Sequence, residues 1–492
     1  MIISASKKTV LMIDIPTYSV VLPDLHRELI EKRLRLQSVM LEKRLGTKFL
    51  RPSLTYSRGF LSLATCLERS GFLVKYLVHS DPFDRTRILD LAKEADFVCI
   101  TTLTPTFNLA RSIIASIKNV NPKCISIIGG PHINAVFENA LLEAPEIDYA
   151  IIGESEERLP ALLININNPD SIGGVAYRDK AGVATSKLAF SSPIVSDLPI
   201  PNYSLLSRPL SDYSHNIKTV RGCPYKCGFC AERLSWVSSG SSSQDVEQVI
   251  IELKIINNQL EPQSLIHFSD AIFNLNWDRT AELLARIKTE IPSALFSCDT
   301  RADLISETQV KEMKDARVVY LRMGFESVHN EILELSKKSS TANTQREASE
   351  IIRSVDQQIG IHAYMVTGLP GTTRESLALD AIEIQRMIET GSVDVVGNKI
   401  LVPYPGTPFH ESANGLGVRV ITKDWSKYDR RSFPTFELEN LSSDEIYFGY
   451  LNQEAALNNS YEKALGEYVS RIHADDLSLD YIYSNYAKDG KH

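Results

Sequence analysis

The stretch "RGCPYKCGFC", Arg221 to Cys230, places three cysteines, Cys223, Cys227 and Cys230, on one short loop. Thiols this close ordinarily hold metal. Structural zinc takes four ligands, and C-x3-C-x2-C is not a usual finger spacing, so zinc would require His215 or Cys298 to complete the set. A disulfide plus a spare thiol fits worse, because seven cysteines make an odd and clustered count. Three thiolates suit a 4Fe-4S cluster with one iron left open. An open iron is a place to bind something, and a substrate that chelates through an amino group and a carboxylate can supply the missing ligand.

Outward from the loop, strand and helix signals alternate on both sides. Ahead of it, "TVLMIDIP" (9–16), "FLVKYLV" (72–78), "DFVCITTLT" (96–104), "CISIIGGPH" (124–132) and "DYAIIGESE" (148–156) are short apolar runs. Phe107, Ala110, Ile113, Ile114 and Ile117 fall between two of them at helical period. Such alternation predicts a parallel sheet covered on both faces, with ligands beyond the carboxyl ends of its strands. Thr102, Thr104, Gly129, Gly130, Gly153 and Glu154 fall there. After the loop, strands are expected at 217–221, 264–270, 294–300, 318–326, 361–368 and 393–402, enough for a partial barrel. Thr372 and Glu375 read as a capping box, and Gly391 as the end of that helix. Between the two halves, "GGVAYRDKAGVATS" reads as a hairpin turning near Lys180 to Gly182, and "SDLPIPNYSLL" as a linker.

The chain has 492 residues, 43% apolar and 23% charged, which suits a modular globular protein. A net charge of −8 argues against a broad grip on nucleic acid. No apolar run reaches the length of a membrane span, and the start is unlike a signal peptide, so a cytoplasmic location is expected. That compartment keeps thiols reduced. Cys66, Cys99, Cys124 and Cys298 are expected to be structural.

The cysteine loop, with Phe229 before its last thiol and "IKTV" ahead of it, resembles that of the radical S-adenosylmethionine (SAM) enzymes. The likeness continues through "HFSDAIFNLN", "CDTRAD", "GFESVHNEIL", "MVTGLPGTTRESL" and "VPYPGTP" at successive strand ends. It implies that Cys223, Cys227 and Cys230 ligate the cluster and that Phe229, Ser269, Asp270, Arg301, Glu326, Ser327 and Gly368 hold SAM, with Gly371 giving room for its approach. The front half, with "GGPH" and "GESEERLPALL", resembles the cobalamin-binding class of that superfamily. This implies cobalamin near Thr102, Thr104, Gly129, Gly130, Pro131, His132, Gly153 and Glu154. The DxHxxG motif of cobalamin mutases is missing, so binding without a histidine ligand is expected; for His132, a turn-holding role stands beside cofactor contact.

The implied fold is α/β. A Rossmann-like cobalamin-binding domain (1–165) leads through a hairpin and linker (166–210) to a partial (β/α)6 radical SAM barrel (211–410) and a mostly helical C-terminal segment (411–492). The implied function is methylation of an unactivated carbon, or a phosphinate phosphorus, of a small molecule or peptide. A 5'-deoxyadenosyl radical and methylcobalamin would act in turn, with an electron donor such as flavodoxin or ferredoxin and no nucleic acid or membrane partner. The alternatives are radical oxidation, cyclisation or rearrangement without methyl transfer, and a non-catalytic cobalamin or Fe-S sensor.

Overall fold

The structure, a computed structural model, describes residues 7–15, 24–46, 54–78, 85–180, 182–187, 198–234 and 241–466. Ala181 of the expected hairpin turn, Ser196 and Asp197 of the expected linker, and residues 467–492 of the expected C-terminal segment lie outside these.

The front half folds around β1 (Thr9–Asp14), β2 (Leu73–Val78), β3 (Phe97–Thr101), β4 (Ile125–Gly129), β5 (Tyr149–Ile151), β6 (Val175–Asp179) and β7 (Gly182–Thr185). They line up as β2-β1-β3-β4-β5-β6-β7. The first five run parallel, and the β6–β7 hairpin adds antiparallel to the β5 edge. Strands covered on both faces need apolar residues at every position, not at alternate ones. In β1, Val10 and Met12 enter one core while Leu11 and Ile13 enter the other. The helices of this half are α1 (Asp24–Leu45), α2 (Arg58–Arg69), α3 (Thr86–Ala92), α4 (Phe107–Val120), α5 (Pro131–Glu143) and α6 (Arg158–Ile164).

The second half begins with β8 (His215–Ile217), shorter and earlier than the strand expected at 217–221. Thr219 breaks the run because its amide and hydroxyl turn to the Asp270 carboxylate. β9 (Val220–Arg221) then pairs separately with β10 (Ser242–Ser243). The barrel continues with β11 (Leu265–Phe268), β12 (Leu295–Thr300), β13 (Val318–Glu326), β14 (Gly360–Thr367) and β15 (Val395–Ile400). With β8 they form one parallel sheet, β15-β14-β13-β12-β11-β8. Between them run α7 (Val246–Asn257), α8 (Trp277–Glu290), α9 (Glu307–Asp315), α10 (Asn330–Leu335), α11 (Ala342–Val355) and α12 (Arg374–Glu389). The cap of α12 lies one residue beyond the expected pair: Thr373 is the N-cap and Ser376 closes the box. The last part holds α13 (Pro408–Glu411), a small antiparallel pair of β16 (Val418–Val420) with β17 (Phe436–Leu438), and α14 (Ser443–Leu465).

A partial barrel leaves an edge strand whose backbone groups need partners. Here an early helix and a late one, α1 and α14, cover β15. Gln37 on α1 donates to the Val396 carbonyl at 2.7 Å, and the Tyr461 hydroxyl on α14 accepts from the Val396 amide at 2.9 Å. Further along, the Ile400 amide donates to the Arg430 carbonyl at 2.8 Å. The cover is fastened by Arg33, which pairs with Glu454 where both are almost fully buried. Because Tyr461 is 0% exposed, Tyr461→Phe leaves the Val396 amide without its partner. The expected loss is about 1–3 kcal/mol of stability, read from a denaturant titration monitored by circular dichroism.

Candidate functional site at the barrel mouth

The cysteine loop leaves β9 through Gly222, whose φ of +81° suits glycine. It is held from below and behind. The Gly228 amide donates to the Ser336 carbonyl at 2.9 Å, and the Phe409 amide donates back to the Gly228 carbonyl at 3.3 Å. A Cβ on Gly228 would come within 2.4 Å of the Phe409 ring, so only glycine fits this approach. Phe229 packs on the same ring, centroid to centroid 6.3 Å.

The three thiols lie close enough to influence one another electrostatically. Burial pushes Cys230 up to about 12 and raises Cys223, while Arg301 acts against the rise at Cys223. Among the described residues no group of His, Cys, Asp or Glu converges as the ligands of a single metal ion do. A cluster has a different demand, since each thiolate takes its own iron on a wider template. The donor set, three thiols on one loop, fits that template with one iron free. Ligation must remove the thiol protons, so burial makes assembly release protons.

Around the loop, the expected SAM residues divide. Arg301 stacks its guanidinium 3.6 Å from the Tyr225 ring centre and is held by Asp303 at 2.8 and 2.9 Å, which ties the end of β12 to the cysteine loop. Glu326 ends β13 with φ +67° and takes Lys338 at 3.1 Å. A side chain on Gly324 would meet both of them, at 2.3 and 2.9 Å. Ser269 keeps some exposure at the end of β11, its hydroxyl on the Ile217 carbonyl at 3.3 Å.

Asp270, Ser327 and Gly368 turn elsewhere. Asp270 is 0% exposed and accepts from the amides of Thr219 and Val220 and the Thr219 hydroxyl, at 2.6 to 2.8 Å. Burial raises it to about 6. Its carboxylate therefore shapes the approach to the cysteine loop, while a ligand would have to be met by its neighbours. Ser327 accepts from the His329 amide at 3.1 Å, a local turn bond. Gly368, at φ +86°, has its missing side chain directed at Phe436 and Ile446, so it makes room for the C-terminal segment.

At the ligand end of the front sheet, Thr102 sews the loops after β3 and β4 together, its amide and hydroxyl both donating to the Gly129 carbonyl at 2.9 and 3.1 Å. Gly130, at φ +101°, lies so close to Thr102 that a Cβ would approach its carbonyl oxygen to 2.6 Å. The Gly153 amide donates to Asn134 at 2.7 Å. Pro131 opens α5 and Leu103 offers exposed apolar surface beside these loops. Small residues and the exposed Leu103 side chain here suit the close approach of a large, partly apolar cofactor.

His132 is sequestered. It is 1% exposed between the Phe107 and Trp425 rings, 4.6 and 5.1 Å away, with Nδ1 3.3 Å from the Thr104 hydroxyl. Burial lowers its pKa to about 3, so it is neutral, and its Nε2 has no hydrogen-bond partner among the described residues.

The two halves meet at Arg221, which pairs with Glu154 and, at 2.6 Å, with Glu156. Sequence reasoning picked Glu154 but not the arginine that begins the cysteine stretch. A basic residue beside the loop and the acidic "GESEE" run were the available signal.

Comparison with known proteins follows the same two halves. Residues 217–381 match the radical SAM superfamily and residues 51–163 match the B12 binding domain. An "uncharacterized methyltransferase" of Pyrococcus horikoshii is 28% identical over 373 residues, 73% of this chain and 78% of that one. The anaerobic magnesium-protoporphyrin IX monomethyl ester cyclase of Cereibacter sphaeroides is 24% identical over 417 residues, and this alignment covers 79% of this chain but 65% of the cyclase. Among solved structures, the radical SAM methyltransferase TsrM of Kitasatospora setae, with tryptophan and a SAM analogue bound, superposes with a TM-score of 0.61 at 16% identity, covering 86% of this chain and 83% of that one. The chain is a radical SAM enzyme with a B12-binding domain in front of its barrel, and its cofactors are a 4Fe-4S cluster, SAM and cobalamin.

Proposed function

We propose that this chain is a cobalamin-dependent methyltransferase that modifies an unactivated carbon, or a phosphinate phosphorus, of a small molecule or peptide. The observation that carries the reading is the pairing of Arg221 with Glu154 and Glu156, which joins the cysteine loop to the ligand end of the B12-binding sheet. One mouth then serves both cofactors. The likeness to a methyltransferase in sequence and to another in fold supports it.

In this reading the cluster and SAM supply hydrogen abstraction by one-electron chemistry and cobalamin supplies the methyl group, which an alkyl carbon cannot take by a polar route. Cys223, Cys227 and Cys230 hold the cluster, and Gly222 and Gly228 let the loop turn tightly over Phe409. Arg301 and Glu326 present charge to SAM from the ends of β12 and β13, and Phe229 and Ser269 contribute from the cysteine loop and the end of β11. Thr102, Thr104, Gly129, Gly130, Pro131, Gly153 and Glu154 shape the cobalamin side. The front domain, barrel and C-terminal segment divide at about 165, 210 and 410, and a flavodoxin- or ferredoxin-like donor feeds the electron. A second reading, oxidative cyclisation, draws on the likeness to the cyclase. Product mass separates them: methyl transfer adds a CH2 unit, whereas oxidative cyclisation removes hydrogen.

Anaerobic reconstitution is expected to load about four irons per chain, and alanine at all three cysteines to abolish this; retained iron would overturn the ligand assignment. Arg301→Ala and Glu326→Gln are each expected to weaken SAM binding, the first by about 1.5–3 kcal/mol, with iron content unchanged. Cobalamin is expected to bind without a histidine on its lower face, because His132 is enclosed by Phe107 and Trp425. Electron paramagnetic resonance of the cob(II)alamin form checks this. Nitrogen hyperfine splitting from an axial base would contradict it.

A further inference from the structure

The barrel lumen is lined by polar side chains that the cofactor sites do not use. Strand alternation puts His267, Asp299, Arg322 and Tyr364 on its inner wall. Asp299 takes Arg322 at 2.8 Å and His267 at 3.3 Å. Arg322 lies 5.3 Å from the Tyr364 ring centre. On β15 the inner face is fixed by Gly397, where a Cβ would meet His362 and Tyr364 at 2.4 and 2.9 Å. Lys399, two residues on, shares that face and lies opposite Val366 of β14. The intervening Asn398 points outward to Gln453 on α14.

Unlike the other lumen charges, Lys399 makes no hydrogen bond or ion pair among the described residues. It is packed about by protein yet keeps some accessible surface. The charges acting on it come from every element packed nearby: Arg33 of α1, Arg430 and Arg431 of the segment before β17, and Glu454 of α14. Glu454 is the single acid among these, and Arg33 already takes it. Burial and the three guanidiniums push the ammonium toward its neutral form. Arg33 is answered by Glu454 and Arg430 is exposed, whereas Lys399 pairs with no acid among the described residues; keeping its ammonium charged there is costly unless an anion answers it.

We propose that the lumen takes a substrate bearing an acidic group, carboxylate or phosphate, and that Lys399 on the last barrel strand receives its charge. The proposal rests on the radical SAM reading of this mouth as the place of reaction. It narrows the substrate to acids and sets its orientation, with the acidic end at β15 and the remainder extending toward the cysteine loop.

The test is competitive acylation of the reconstituted full-length protein with acetic anhydride, read by peptide mass mapping, with Lys311 and Lys288 as exposed controls. Runs contain succinate, inorganic phosphate, the neutral succinamide or SAM, at constant ionic strength. At least five-fold slower labelling of Lys399 with succinate, and none with succinamide, supports a carboxylate substrate. The same protection by phosphate supports a phosphorylated one. Lys399→Met is expected to abolish anion-induced thermal stabilisation and Lys399→Arg to keep it. Unchanged labelling with both anions overturns the proposal, as does protection by SAM alone, which would assign Lys399 to the SAM carboxylate. SAM cleavage by the same preparation separates the two readings: cleavage without anion protection sinks only the acid site, and protection without cleavage sinks only the radical chemistry.

Discussion

Arg221 is the constraint on which the site depends. It stands directly before the glycine and first cysteine of the cluster loop, and it reaches across to two acids that follow the fifth strand of the front sheet. Burial raises Glu154 and the neighbouring Glu156 adds to the rise, while the guanidinium works in the opposite direction. Removing either side would leave uncompensated charge in a partly dry place, the costly case for a buried pair. A forked guanidinium can serve both carboxylates at once in fixed geometry, which a lysine cannot. Two sheets that already share one apolar core thereby share one aligned mouth.

What the sequence made legible was local. Three cysteines within one loop, apolar runs of strand length and glycines at strand ends are all short-range signals, and the parallel architecture followed from them. What it concealed depends on long separations. Trp425 closes over His132 from almost 300 positions away, and nothing near either residue announces the contact. Asp270 sits in a segment that looks like a ligand contact, yet its partners are backbone amides of residues 219 and 220. An acid's orientation is set by which donors the fold brings to it, and spacing carries no such information. The cap of the last barrel helix shows the smaller error, one residue in register, where Thr372 and Thr373 offer the same chemistry and backbone geometry chooses between them.

The C-terminal segment also acquires a role that its composition hid. Its weak helical period conceals one long helix, α14, that packs on α1 and α12. Phe436 and Ile446 fill the space left by Gly368, and Asp424 and Trp425 reach Asn108 and Glu143 of the front half. One segment thus contacts the barrel mouth and the B12-binding sheet together, which couples the position of the two halves to the packing of residues late in the chain.

The cover on β15 has a consequence for synthesis. Gln37 and Tyr461, 424 positions apart, meet at the same backbone unit. When β15 emerges from the ribosome its outer edge has only the first of these partners. At translation rates of about 5–20 residues per second, the interval until Tyr461 is made is roughly 3–12 s, long against the microseconds in which helices and hairpins form. For that interval the nascent chain carries an unpaired parallel edge, the kind of surface that recruits other strands. Covering of this edge therefore waits on α14, and a chain truncated before it would retain every cysteine of the cluster loop while remaining prone to aggregate.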